Sequence, residues 1–273
     1  MAARRSPRGM MTTTAGHIST FFEKWAPERT KLDYDNVGLL IGSKHKTVSK
    51  ILTCLDITEA IVEEAVSGNF DLIVAHHPVI FKKVSRINPD SIQGKIIYKL
   101  ISGDIAVLAV HTNLDAAENG VSFVLANQIG LKNTAFLTRQ QDDETPTGFG
   151  VIGEFENSLP QAEFLETVKN QLNCEAIRYT GSRSSVQKIA VCGGSGSSLA
   201  SKAMDSGADA YITADVKYHD FFTEKADFLL LDVGHYESES PIINIMRDAL
   251  KSEFTELNVE STRINTNPIQ TYK

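Results

Sequence analysis

Apolar positions along this chain fall into two alternating rhythms. Short β-branched runs, SKILTCLDI (49–57), FDLIVAHHPVIF (70–81) and IAVLAVHTNLD (105–115), are separated by segments with helical spacing, TEAIVEEAVSGN (58–69) and GKIIYKLISGD (94–104). That alternation predicts βαβ units and a mainly parallel sheet. The beat returns as QKIAVCGG (187–194), SSLASKAMDSGA (197–208), DAYITADVKYHDFF (209–222) and DFLLLDVGHYESE (227–239). Sliding the chain by 138 residues lays VSKILTC (48–54) on VQKIAVC (186–192) and FDLIVAHHP (70–78) on ADAYITADV (208–216) without a gap. Lys50, Ile51, Cys54, Ala65 and Asp71 then fall on the identical Lys188, Ile189, Cys192, Ala203 and Asp209. The fold class expected is therefore α/β: two similar α/β halves with mainly parallel or mixed sheets, and a site in the cleft between them.

Boundaries follow from local composition. Helical spacing starts in GHISTFFEKWAPERTK (16–31), so folding is expected from residue 13; 13–137 form the first half and 138–273 the second. The polar stretch TRQQDDETPTGFG (138–150), with Pro146 and two glycines, reads as the connection. Residues 1–12 are read as a disordered tail; the opening MAARRSPRGMM has three arginines and no acid, which is also the composition of a short transit peptide.

Composition narrows the class of partner. The 273 residues, 42% of them hydrophobic, suffice for a full core. Twenty-seven basic against 34 acidic residues give a net charge of −7, which disfavours non-specific attraction to nucleic acid or anionic membranes. No apolar run approaches the roughly 18 residues that span a bilayer. Three scattered cysteines, Cys54, Cys174 and Cys192, show no CxxC spacing, so a reducing, cytoplasmic location is expected.

Chemistry collects beyond the carboxyl ends of parallel strands. One such end carries His76 and His77, a second His111 and Asp115, and a third His235, Glu237 and Glu239. Adjacent side chains on a regular strand point to opposite faces, so His76 and His77 serve one site only where the strand is already turning. His235 and Glu239 stand four apart and share a face in a helix that begins after Gly234. A single histidine at a strand end is more often structural, but three such ends on one edge of the fold point to a metal site. Imidazole and carboxylate without thiolate suit zinc, iron, manganese or cobalt. The loop CGGSGSS (192–198) is either a phosphate cradle of backbone amides or a tight strand-to-helix turn; it lacks the GK[ST] of a Walker motif. Asp215, Tyr218 and His219 end the strand that repeats the double-histidine strand, either lining the same cleft or capping the next helix.

The segments YDNVGLLIG (34–42), AHHPVIF (75–81), HTNLD (111–115), CGGSGSS, ITADVKYHD (212–220), GHYESE (234–239) and TNPIQTY (266–272) resemble, in order and spacing, the Nif-three-like family, also called GTP cyclohydrolase 1 type 2 homologues. The resemblance runs from about residue 13 to the end of the chain. It implies two divalent metal ions per chain, held by His76, His77, Asp115, His235 and Glu239, with His111 close to them, and it favours Glu239 over Glu237. It also implies a hexameric ring built from dimers. Some family members carry a large inserted domain between the halves; the 37 residues from Pro146 to Ser182 leave no room for one, so this chain is a short form. The arginine-rich tail matches nothing in the family. The function expected is that of a metal-dependent hydrolase acting on a nucleotide-like or cyclic amide small molecule, with His111 or His219 moving protons. The alternative is a non-catalytic metal-binding regulatory or scaffold protein.

Overall fold

The computed structural model describes residues 12–140 and 145–272, so the reading of the N-terminal tail lies almost wholly outside the described residues. In chain order the first elements are α1 (Ala15–Trp25), β1 (Gly38–Ile41), β2 (Lys50–Cys54), α2 (Glu59–Ser67), β3 (Leu72–Ala75), α3 (Ile92–Ser102) and β4 (Ala106–Ala109). There follow α4 (Thr112–Asp115), α5 (Val121–Gln128), β5 (Lys132–Phe136), β6 (Val151–Pro160), α6 (Gln161–Gln171), β7 (Arg178–Thr180) and β8 (Ser185–Val191). The chain ends with α7 (Ala200–Asp205), β9 (Ala210–Thr213), β10 (Leu229–Asp232), α8 (His235–Glu239), α9 (Ile242–Glu253) and β11 (Asn258–Ser261).

Two mixed sheets result, in the orders β1-β4-β3-β2-β11 and β5-β6-β8-β9-β10-β7. The centres are parallel, β2-β3-β4 in one and β8-β9-β10 in the other. Each carries an antiparallel edge strand placed in the same way, β1 on β4 and β7 on β10. Every residue of β3, β4, β9 and β10 is buried. Helices or the other half of the molecule cover both faces of these strands, which explains why they read as unbroken apolar runs and not as alternating ones. The fold class expected from sequence is the one observed.

The 138-residue offset is reproduced in hydrogen bonds as well as in strand order. Asp71 Oδ2 accepts from the amides of Ser49 and Lys50 at 2.8 and 2.9 Å, and Asp209 Oδ2 accepts from Gln187 and Lys188 at 2.8 and 3.0 Å. Lys50 Nζ donates to the Gly68 carbonyl at the end of α2, and Lys188 Nζ to the Ser206 carbonyl at the end of α7. Left-handed residues follow both helices, Asn69 with φ 53° and Gly207 with φ 75°. Each completes a helix C-terminus. The same sequence spacing thus builds the same strand-helix-strand joint twice.

At two places the sheets exchange elements. β5 precedes residue 138 yet pairs with β6 in the second sheet, while β11, at the far end of the chain, pairs in parallel with β2 of the first. Helix α9, which leads into β11, also packs on the first half, burying Ile242, Ile243, Met246 and Leu250 in the core that contains Ile51 and Val259. Each half is therefore completed by a segment of the other, which fixes the two rows of strand ends face to face.

Removing either repeat aspartate leaves two amides without their acceptor. Asp71→Ala and Asp209→Ala are each expected to lower the unfolding free energy by about 1–3 kcal/mol in urea denaturation. Asp209→Ala should cost more at low salt, because Asp209 also pairs with Arg183 at 2.6 Å. Unchanged midpoints for both would show that the joints are not held this way.

Candidate metal centre

Strand ends from both halves bring four imidazoles and two carboxylates into one cluster. β3 stops at Ala75, and the turning chain that follows donates the His76 and His77 amides to the carbonyls of Cys54 and Leu55. Their rings end 5.0 Å apart, centre to centre, with the His111 ring 5.2 and 5.3 Å from them and the His235 ring 5.3 Å from His77. Helix α8 does begin after Gly234, whose φ of 94° turns the chain, and it presents His235 and Glu239 on one face. Three overlapping groups have donor atoms within 4.8 Å of one another: His76, His77 and His111; His77, His235 and Glu239; His76, Asp115 and Glu239.

One end of every ring is already engaged. Nδ1 of His76 meets the Val110 carbonyl at 2.8 Å, that of His77 meets Asp56 at 2.7 Å, that of His111 meets Asp35 at 2.8 Å, and that of His235 meets Asp215 at 2.7 Å. A neutral ring whose Nδ1 donates to oxygen must carry its lone pair on Nε2. The Nε2 atoms of His76, His77 and His235 point at Glu239 Oε2, at 3.8, 3.0 and 3.0 Å. His76 Nε2 also lies 3.6 Å from Asp115 Oδ1. These groups are deep: the His76 side chain is fully buried and that of Glu239 is 4% exposed. With neutral rings the cluster is acceptor facing acceptor, and His76 Nε2, Asp115 Oδ1 and Glu239 Oε2 have no hydrogen-bond partner. Such atoms are rare in folded proteins and mark places where a proton or a cation belongs. The donor set fits a first-row divalent cation.

Electrostatics say where protons sit when no metal is bound. Burial disfavours the charge on Glu239, but the imidazoles of His235, His76 and His77 that surround it hold its carboxyl well below the usual range. Burial and the nearby Glu239 push Asp115 well above it. Burial lowers His76. Against the same burial, Asp56 and Glu239 raise His77 to about 10, and Glu239 and Asp215 raise His235 to about 9. Asp35 is lowered, its burial overcome by hydrogen bonds from His111 and Thr112.

Sequence reasoning named His76, His77, His111, Asp115, His235 and Glu239, and all six meet here. Glu237 turns away, accepting from Asn267 Nδ2 at 2.9 Å. His219 is not brought in: it lies on an exposed turn, its ring against Tyr218 and Phe222. The three glycine amides of CGGSGSS are occupied, Gly193 donating to Ser122, Gly194 to Ser238 and Gly196 to Thr213, and so are not free to cradle phosphate. The loop instead supplies space, since a Cβ on Gly194 (φ 62°) would strike the Glu239 carboxylate. The supports Asp35 and Asp56 were missed. A carboxylate just past the end of β2 was the available signal for Asp56. Tyr34, 66% exposed, and Phe81 form an aromatic rim, Tyr34 edge-on to Phe81 at 6.1 Å and Phe81 to His111 at 6.2 Å. A cavity of about 740 Å³ between α5, α9 and β11 contains none of these groups.

Two mixed sheets built on a repeated βαβ unit, with imidazoles and carboxylates gathered where their strand ends meet, define a two-half α/β protein with a candidate metal centre. The Duf34/NIF3 (NGG1p interacting factor 3) family pattern matches residues 13–268, and the chain belongs to that family. A Clostridium acetobutylicum protein called GTP cyclohydrolase 1 type 2 homolog is 31% identical over 268 residues, covering 96% of this chain and 99% of its own. The crystal structure of Staphylococcus aureus protein SA1388 superposes with a TM-score of 0.88 at 31% identity, over 95% of this chain and 99% of that one. A Bacillus cereus protein related to NIF3 shares the fold, with a TM-score of 0.87 at 23% identity over 96% and 100% of the two chains.

Raised imidazoles have a consequence for stability with a definite sign. In chelator, the contribution of His77 and His235 is complete below their ordinary value of 6.5 and is lost as pH rises through about 9 to 10. Thermal unfolding of the chelated chain should therefore have a lower midpoint near pH 9.5 than near pH 6.5. Nuclear magnetic resonance should find both rings charged at neutral pH and His76 neutral; ordinary titration of all three near 6.5 would contradict this arrangement.

Proposed function

We propose that this cluster holds two divalent cations and that the chain is a metal-dependent hydrolase of a nucleotide-like or cyclic amide small molecule. The observation that carries the reading is the convergence of His76 Nε2, Asp115 Oδ1 and Glu239 Oε2, three buried acceptors with no hydrogen-bond partner. His76, His77, Asp115, His235 and Glu239 are the proposed ligands, with His111 beside them. Six donor residues exceed what one tetrahedral ion uses, and Glu239, which faces three rings, is the group suited to share its oxygens between two ions. Bound divalent cations supply Lewis acidity and lower the pKa of water towards neutrality. His111, tied through Nδ1 to Asp35 and partly exposed, is the ring placed to accept or return a proton at Nε2. Asp35 holds that tautomer much as it would in a histidine-carboxylate pair of a hydrolase. Beside His111 stand the exposed rings of Phe81 and Tyr34, flat surfaces suited to a planar ring.

The same reading includes the hexameric ring implied by the family resemblance and a reducing, cytoplasmic setting. Cys54, Cys174 and Cys192 are all free and buried, and no helix among the described residues is long and apolar enough to cross a membrane. Light scattering that shows a stable monomer at micromolar concentration would remove the ring without touching the metal centre.

Two variants test the ligand set. Glu239→Gln keeps the side chain's shape and discards its charge, so metal affinity is expected to fall by more than the roughly 10- to 100-fold typical of supporting residues. Glu237→Gln, bonded elsewhere, should retain both ions. Elemental analysis of protein purified without chelator is expected to give close to two ions per chain. One ion, or none after reconstitution with zinc, manganese and iron, sinks the two-ion assignment. Screening nucleotides and cyclic amides for hydrolysis then tests the reaction.

A further inference from the structure

Asp232, the last residue of β10, is 6% exposed and belongs to no part of the metal cluster. Its Oδ2 accepts from the Val216 amide at 3.0 Å, and its Oδ1 accepts from the Gly234 amide at 3.1 Å. Val216 follows Asp215, and Gly234 precedes His235; these are the two residues joined by the 2.7 Å hydrogen bond that orients the His235 ring. Arg178, directly opposite Asp232 in the β7–β10 register, pairs with the same carboxylate and donates to the Val216 carbonyl at 3.1 Å. The guanidinium also lies over the Phe221 ring, 5.5 Å from its centre. Two loops are thus gripped by one ion pair.

The backbone explains why a grip is needed. Asp215 has φ 54° and Gly234 φ 94°, so both loops pass through the left-handed region just where they meet. Glycine adopts that conformation freely, but a non-glycine residue such as Asp215 keeps it only where surrounding contacts over-determine it. Asp232 supplies those contacts on the C-terminal side of Asp215 and the N-terminal side of His235.

We propose that the Asp232–Arg178 pair is a positioning device for the metal centre, acting through Asp215 to set the orientation and tautomer of His235. Asp232 touches neither ion site nor substrate. Asparagine at this position keeps one acceptor and turns an NH2 towards the second amide, which loosens one of the two loops while preserving volume. The metal arm of the test rests on the proposed function; a second arm does not.

In the first arm, Zn2+ alone is titrated against a competing chelator with the full chain and with Asp232→Asn, Asp215→Asn and the double variant. Asp232→Asn is expected to weaken binding by about 10- to 100-fold, the range for groups that support a ligand. If it acts through Asp215, the double variant should be little weaker than Asp215→Asn alone, a non-additivity that a general loss of stability does not produce. Unchanged affinity in Asp232→Asn, or losses that multiply, would overturn the proposal. In the second arm, the low-field Nδ1 proton of His235 is followed in the metal-free chain, assigned by its loss in His235→Gln. Asp232→Asn should shift it upfield, and an unmoved resonance counts against the device. Should Asp232→Asn not fold, Arg178→Met, altered at an exposed side chain, is expected to move the same proton in the same direction by less; an unmoved proton there overturns the proposal too. A wild-type chain that binds no Zn2+ defeats the metal reading, and the His235 proton then decides on Asp232 alone.

Discussion

A buried carboxylate oxygen facing three imidazole nitrogens is the constraint on which the rest of the structure turns. Glu239 Oε2 is nearly inaccessible, and desolvating a charge is affordable only where opposite charge is held close. Each surrounding feature serves that requirement. The Nδ1 atoms are anchored by Val110, Asp56, Asp35 and Asp215, so all four rings are held in fixed orientations. Glycine at position 194 is required because the loop backbone passes against the carboxylate itself, and Ser238 caps the same amide. A cluster assembled this way is preorganised, because each ring is already held at Nδ1 by a fixed partner.

The internal repeat explains how such a cluster can lie between two similar units without being symmetric. The 138-residue offset places His76 on Ala214 and His77 on Asp215. One half therefore offers two imidazoles at the end of its central strand. The other offers a small apolar residue and a carboxylate that supports an imidazole from the neighbouring strand. The exchange of β5 and β11 between sheets keeps this complementarity in register, since neither half can withdraw without losing an edge strand.

Much of this was legible in the sequence, for identifiable reasons. Parallel strands buried on both faces leave continuous apolar runs, and strand ends are where polar residues interrupt them, so His76, His111 and His235 could be placed without coordinates. The i, i+4 spacing after Gly234 put His235 and Glu239 on one face. Separating Glu239 from Glu237 took the family resemblance, because composition treats the two acids alike; the structure distinguishes them by the Asn267 contact. What could not be read were partnerships between distant segments. Asp35 reaches His111 across 76 positions, and Thr266 reaches Asp56 across 210 at 2.6 Å; no local pattern encodes either. His219 shows the converse: it too follows a strand end, but on an exposed turn that leaves its ring against Tyr218 and Phe222, outside the cluster.

The glycine-rich loop shows how the same residues can suggest a binding site and instead build its wall. Glycines before a helix attract a phosphate reading because they expose amides. Here those amides are spent on Ser122, Ser238 and Thr213, two of the hydroxyls coming from segments that flank the cluster. The loop is thereby pulled against Glu239 from the second half, closing that side by backbone alone. His111, Phe81 and Tyr34 stand in ring contact with one another, partly or largely exposed. The His77 and His235 side chains are also partly exposed, at 22% and 33%, so the cluster is open along its row of imidazoles and walled by backbone where Gly194 meets the Glu239 carboxylate.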